Sequence, residues 1–465
     1  MNSGGHLDPS EPIIPDIDEL RRRVDDDFPA VLADLNRLVA IPSLSIPTAD
    51  HAPLERSAEL VASLLKSVGV EDVEIVRAVT DAGAVGGPGV LGRIPGPPGA
   101  PTVLLYAHHD VQPVTDDWDT DPFVPTQIGD RLFGRGAADD VAGVVTHIGA
   151  LRALGADLGV GVAVFIEGEE ESGSPTFAQL LREHADKLAA DIVVVADSDN
   201  WEIGTPALTM SLRGVAEVTV SLRVAQHAVH SGMFGGPILD APLLLARLIA
   251  TLHDEHGSVA VRGLGPTGES AVPYPEDRLR ADASILPGVR LAGRGPIADR
   301  LWWSPSINLI GFDATRVDDA SGTIAPSARA RLSLRIPPGM DAVVAQQALH
   351  RHLLDHAPFG AEVTVDDGAT GQPFTVAKDS PAMAAVKWAL TTAWGRPPVL
   401  QGQGGSIPLT HDLSETFPGI QVLLTGVEDP DSRAHSGNES VHLGELRRAV
   451  LAEALLLARL AVSTP

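Results

Sequence analysis

The sequence predicts an α/β fold: a mostly parallel sheet flanked by helices, interrupted by an inserted β-α-β-β-α-β unit of ferredoxin-like order. Three observations carry this reading. The runs 102-TVLLYA-107, 160-VGVAVFI-166 and 191-DIVVVA-196 are continuously apolar, the pattern of strands buried on both faces. Helical stretches separate them, so the strands alternate with helices as in a doubly covered parallel sheet. From Gly214 the order changes to strand, helix, two strands, helix and strand, the arrangement of a ferredoxin-like unit.

Taken in order, residues 1–15 hold three prolines and two glycines and are expected to be disordered. A helix is expected from Ile17 to Val39, and another from Val141 to Leu154 after the second apolar run's predecessor ends. In the inserted unit the expected elements are strand 216–224, helix Ala241 to Glu255, strands 306–312 and 328–336, helix Asp341 to His356 and strand 361–367. A Gly/Pro-rich stretch from Gly257 to Pro305 separates the first helix from the second strand. The sheet resumes near Phe374 with strand 420–424, and a helix from Leu443 to Leu460 closes the chain. The expected division is therefore 16–213, an insertion at 214–372, and 373–465.

The chemistry gathers where apolar strands end. His108 follows the first run, Glu169-Glu170-Glu171 the second and Asp197 the third, while Asp139 precedes a helix as a possible N-cap. With no cysteine in the chain, a zinc-type site must use imidazole nitrogens and carboxylate oxygens. Asp110, two residues beyond His108, has the spacing to hold the imidazole. Neighbouring glutamates on extended backbone face opposite ways, so one can bind metal while the next serves as general base. Singly, each motif has a plainer meaning: a hydrogen-bonded His-Asp pair, or a solvated acidic run. His147 and His227 read as structural or surface histidines. It is the joint occurrence, with 434-AHSGNE-439 near the C-terminus, that points to a two-metal hydrolytic centre.

The stretches AHHDVQP (107–113), RGAADD (135–140), EGEEESGS (167–174), ADSDNW (196–201), SLRG (211–214), HSGMFGG (230–236), GGSIP (404–408) and AHSGNE (434–439), in that order, resemble the di-zinc metallopeptidases of the aminoacylase, carboxypeptidase G and carnosinase family. The likeness runs from about Val31 to the C-terminus and is strongest to the dipeptidase, carnosinase-like branch. It implies a di-zinc exopeptidase-like fold in which His108, Asp139 and Asp197 hold one metal, Asp139, Glu171 and His435 the other, and Asp139 bridges. It further implies that Glu170 is the general base for a water held by the metals and that Asp110 orients His108. His230 would reach the partner subunit's active site. Arg335 would bind the substrate's terminal carboxylate, with Thr323 and Ser406 lining that pocket. The inserted domain would act as lid and as the surface of a homodimer. The metals would be two divalent ions, zinc first, with manganese or cobalt as alternatives. The pattern departs from the family at Ala107, usually glycine, and at Val141, where the family's Asp-Asp-Lys-Gly lacks its lysine.

The implied activity is hydrolysis of the amide bond of dipeptides; removal of an acyl or succinyl group from an amino acid is the alternative chemistry of the same centre, and a non-catalytic metal-binding relative is the alternative of another class. Retention of Glu170 and Asp110 argues against the last. Two decoys fail in context. GLGPTG at 263–268 fits G-x-G-x-x-G, but Pro266 and the PYPED that follows cannot open a phosphate-binding helix. GGSIP ends in Pro where a nucleophile elbow needs Gly. The net charge of -27 offers no basic stripe for nucleic acid. No apolar run approaches a membrane span and the N-terminus lacks a signal-type apolar core, so a cytoplasmic enzyme acting on small peptides is expected.

Overall fold

The computed structural model describes residues 16–80, 83–115, 117–404 and 408–462. The expected disordered segment 1–15 and the expected pocket residue Ser406 lie outside the described residues. The chain divides into two compact units. One comprises residues up to Met210, Val376–Gln401 and Asp412 onward; the other comprises Ser211–Thr375 and Gly402–His411.

The larger unit is built on a mixed sheet. Its centre is four parallel neighbours in the order Gly161–Glu167, Thr102–His108, Ile192–Val195 and Gln421–Leu424. The first three are the continuous apolar runs, and their interiors are almost fully buried. Removing one such side chain, as in Leu105→Ala, would cost roughly 2–5 kcal/mol, since the surroundings cannot collapse onto the cavity. Outside this centre the pairing turns antiparallel, Gly89–Ile94 against Gly161–Glu167 and Glu71–Val76 against Gly89–Ile94. The flanking strands thus need no crossover helix, and the sheet is parallel only where crossovers bury both faces.

The helices Ile17–Val39, Val141–Leu154 and Leu443–Leu460 form where expected and pack on one another. Val141–Leu154 is buried along nearly its whole length because it is apolar all round. Among the described residues no helix is long and apolar enough to cross a membrane.

The smaller unit contains an antiparallel sheet in the order Ser306–Asp313, Ser327–Ile336, Gly214–Arg223, Glu362–Gly371. With helices Ala241–Ala250 and Ala342–Asp355 this is the ferredoxin-like order. Gly214–Arg223 alternates buried and partly exposed residues, placing Ala216, Val218, Val220 and Leu222 in a core shared with Leu244, Leu248, Leu349 and Leu353. The first helix ends at Ala250, short of the expected Glu255. Asp254 accepts from the backbone N–H groups of His256 and Ser258, and this local turn outcompetes another helical turn.

Candidate metal centre

All four parallel strands deliver their carboxyl ends to one edge, where ligands gather in open α/β sheets. His108 is the last residue of its strand. Asp197 lies two residues beyond Ile192–Val195. Glu170 and Glu171 follow Gly161–Glu167, and the loop after Gln421–Leu424 leads to His435. Gly426 lets that last loop cross the backbone of Ser198 so closely that a Cβ there would lie 1.6 Å from the Ser198 carbonyl oxygen.

Two groups of metal-capable side chains result, His108 with Asp139 and Asp197, and Asp139 with Glu171 and His435; within each, the donor atoms lie within 4.8 Å of one another. Asp139 belongs to both. Its Oδ1 stands 3.1 Å from His108 Nε2 and its Oδ2 2.9 Å from His435 Nε2, so each oxygen faces a different group. His435 Nε2 is also 3.2 Å from Glu171 Oε2.

His108, Asp139 and Glu171 are held from behind. Asp110 acts twice. Its carbonyl oxygen lies 3.0 Å from His108 Nδ1, and its carboxylate accepts from the backbone N–H groups of Glu170 and Glu171 at 3.2 and 3.0 Å. The two glutamates sit in a 3-10 turn, Glu170–Ser172, not on the extended backbone expected. Their different surroundings come from that turn rather than from strand alternation. Glu171 Oε2 accepts from Gln112 Nε2 at 2.7 Å, whereas no such bond holds Glu170 among the described residues. Glu169 serves structure alone: it accepts from Gly87 N and from Thr176.

Asp140, not Asp139, precedes the helix, and it does not cap it. Its Oδ2 accepts from His108 N at 3.1 Å. Asp139 is positioned by Glu439, whose Oε1 accepts from the N–H groups of Ala138 and Asp139 and whose Oε2 takes a 2.6 Å bond from Arg135 Nη1. The loop carrying His435 turns through left-handed residues at Arg433, His435 and Asn438, His435 at φ 63°. This conformation costs a non-glycine residue free energy and persists where neighbours impose it.

The electrostatics call for a cation. Burial pushes the Asp197 carboxyl up to about 7, the charges of Asp139 and Glu171 adding to it. Burial likewise lifts Glu170 and Glu428 well above the usual range, with neighbouring carboxylates contributing in both cases. Asp139 is opposed by burial too, but hydrogen bonds from His108 and His435 hold it low. Hydrogen bonds to Asp139 first and Glu171 second raise His435 to about 11. Oxygen and imidazole donors around a crowd of buried carboxylates fit divalent cations.

The smaller unit holds the other expected residues. His230 and Thr323 are directly paired on a two-stranded ribbon. His230 is exposed, and its Nδ1 accepts from Gly232 N at 3.0 Å. Arg335 lies on Ser327–Ile336, paired with Ser306 on one side and Val215 on the other. His147 is structural as expected, with Nδ1 bonded to Glu453 and Nε2 facing the Tyr106 carbonyl.

Such a sheet edge with paired metal-capable groups defines a metallohydrolase, and its relatives agree. Residues 104–459 match peptidase family M20/M25/M40, and the chain belongs to that family. It is 35% identical over 421 residues to a cysteinylglycine-S-conjugate dipeptidase of Corynebacterium striatum, covering 88% of this chain and 90% of that one. It is 30% identical over 381 residues to the Beta-Ala-His dipeptidase of Homo sapiens, covering 76% and 74%. The crystal structure of human carnosine dipeptidase 1 superposes with a TM-score of 0.82 at 26% identity, covering 96% of this chain and 99% of that one.

Proposed function

We propose that this chain is a metal-dependent dipeptidase whose centre is the cluster around Asp139. The observation that carries the reading is the division of the Asp139 carboxylate between two ligand groups. In it, His108, Asp139 and Asp197 hold one cation, and Asp139, Glu171 and His435 the other. Zinc suits a cysteine-free set of imidazole and carboxylate donors, with manganese or cobalt as alternatives. Bound there, the cations supply Lewis acidity toward the scissile carbonyl and lower the pKa of water.

The chain's own residues do the rest. Glu170, half-buried beside the ligands yet not tied down by Gln112 as Glu171 is, takes the proton of the attacking water and returns it to the leaving amine. In the metal-free protein burial, with the charges of Asp197, Glu167 and Glu171 adding, lifts its pKa, the direction that favours taking up a proton. Asp110 fixes the turn that carries it. Arg335 takes the substrate's free carboxylate, helped by Thr323 and Ser406, and His230 steadies the oxyanion in the partner subunit's site.

A homodimer belongs to the same proposal. Ser306–Asp313 is an edge strand whose Leu309, Ile310 and Phe312 are 48%, 52% and 37% exposed, a hydrophobic edge that a second copy would cover. A cytoplasmic setting belongs to it as well. The test is a panel of dipeptides against N-acyl and N-succinyl amino acids, with and without chelator. Chelator-sensitive cleavage of the dipeptides is expected. Cleavage confined to acyl amino acids would replace the dipeptidase reading with a deacylase.

A further inference from the structure

The sheet of the smaller unit carries four arginines, with a fifth, Arg213, just ahead of its strand Gly214–Arg223, and they are treated differently. Arg223, Arg329 and Arg331 pair with Glu362, Asp313 and Glu217. Arg213 and Arg335 have no carboxylate partner among the described residues, in a chain whose net charge is -27. The two belong to one neighbourhood. Ser306 is the register partner of Arg335, and the Ser306 hydroxyl accepts from Arg213 Nη1 at 3.2 Å. The Arg213 guanidinium lies against Gly404, where an added Cβ would stand 2.9 Å from Nη2. Its Nε–H is buried with no acceptor.

A half-buried guanidinium with a spare donor beside a second cation is an arrangement that an anion would relieve. Burial, and then the charge of Arg335, bring the Arg213 guanidinium down to about 10. The planar donor face of arginine matches a carboxylate better than a lysine would.

We infer that Arg213 and Arg335 together form the seat for the substrate's terminal carboxylate, with Ser306 and the bare Gly404 positioning Arg213. This rests on the dipeptidase reading, but a deacylase substrate carries the same free carboxylate. Arg213 is therefore a specificity-determining residue of whichever substrate class is cleaved.

The test uses the full-length, metal-loaded enzyme with glycylglycine and its C-terminal amide. If the wild type cleaves only acyl amino acids, N-acetylglycine and its amide replace them, so failure of the dipeptidase reading is seen in the wild type alone. Arg213→Met should raise KM for the free acid roughly tenfold or more, with kcat within about threefold and kcat/KM for the amide unchanged, as expected when binding common to ground and transition states is lost. Arg213→Lys should recover part of that loss, and it decides the matter if Arg213→Met fails to fold: KM for the acid should then be about threefold above wild type or more. An unchanged KM for the acid in a folded variant, or an equal rise for acid and amide, overturns the assignment.

Discussion

The cluster around Asp139 and the pair Arg213–Arg335 are both collections of charged side chains, yet they are held in opposite ways. In the cluster three donors are braced: His108 by the Asp110 carbonyl, Glu171 by Gln112, and Asp139 by Glu439, which takes N–H bonds from Ala138 and Asp139. In the pair, Arg213 rests on one serine hydroxyl, and its Nε has no acceptor. A centre for a permanent guest gains from fixing its ligands in advance, because second-shell bonds set ligand orientation and affinity. A seat for a passing guest must keep donors free for it.

The sharpest way to break this contrast is at Asp139. Asp139→Ala should empty both cation positions and lower activity on the order of a thousandfold or more, since it removes the shared ligand. Metal analysis finding one full equivalent retained would show that Asp139 does not bridge. Glu170→Ala should lose roughly a hundredfold in kcat while keeping its metal. A metal deficit equal to that of Glu171→Ala would exchange the two roles.

Smaller effects sharpen the comparison. Glu439→Gln keeps the shape but weakens the brace under Asp139, so metal affinity should fall roughly tenfold to a hundredfold, as for other outer-shell partners. Competition with a chromophoric chelator measures it, and unchanged affinity would make the brace merely structural. Arg335→Lys should leave metal affinity untouched and lower kcat/KM for free dipeptides by about tenfold. Loss of metal in that variant would erase the distinction between the two regions.

The smallest effect is a proton count. Without metal, Asp139 and Glu171 raise His435 to about 11, so it carries a proton at neutral pH that a cation must displace. Its raised pKa stabilises the metal-free protein fully below the unfolded value near 6.5, and that contribution fades as pH climbs toward 11. Metal affinity should therefore rise with pH, and calorimetry in buffers of different ionisation enthalpy should register proton release on loading. Binding without proton release would remove His435 from the ligand set.

Much of this was legible from residue order. Continuous apolar runs end where His108, Glu170, Glu171 and Asp197 stand, because buried parallel strands carry their chemistry at the carboxyl edge. The antiparallel flanks were not legible, since Gly89–Ile94 is short and its partners are set by the sheet rather than by its own pattern. Nor were the braces. Glu439 and Arg135 lie 304 positions apart, and nothing local tells a bracing glutamate from a solvated one. The turn at Glu170–Ser172 has no local signal either, because Asp110, sixty positions upstream, accepts from the Glu170 N–H.

The reach of Glu439 and His435 back to Asp139 also bears on how the molecule is made. A ribosome delivers the chain from the N-terminus, and domains fold as they emerge. The segments bearing His108, Glu171 and Asp197 come out first; the histidine and the glutamate that complete and brace the second cation position come out well after them, just ahead of Leu443–Leu460. A growing chain thus holds only part of the centre until His435 and Glu439 emerge, and the ability to cut amide bonds waits on them.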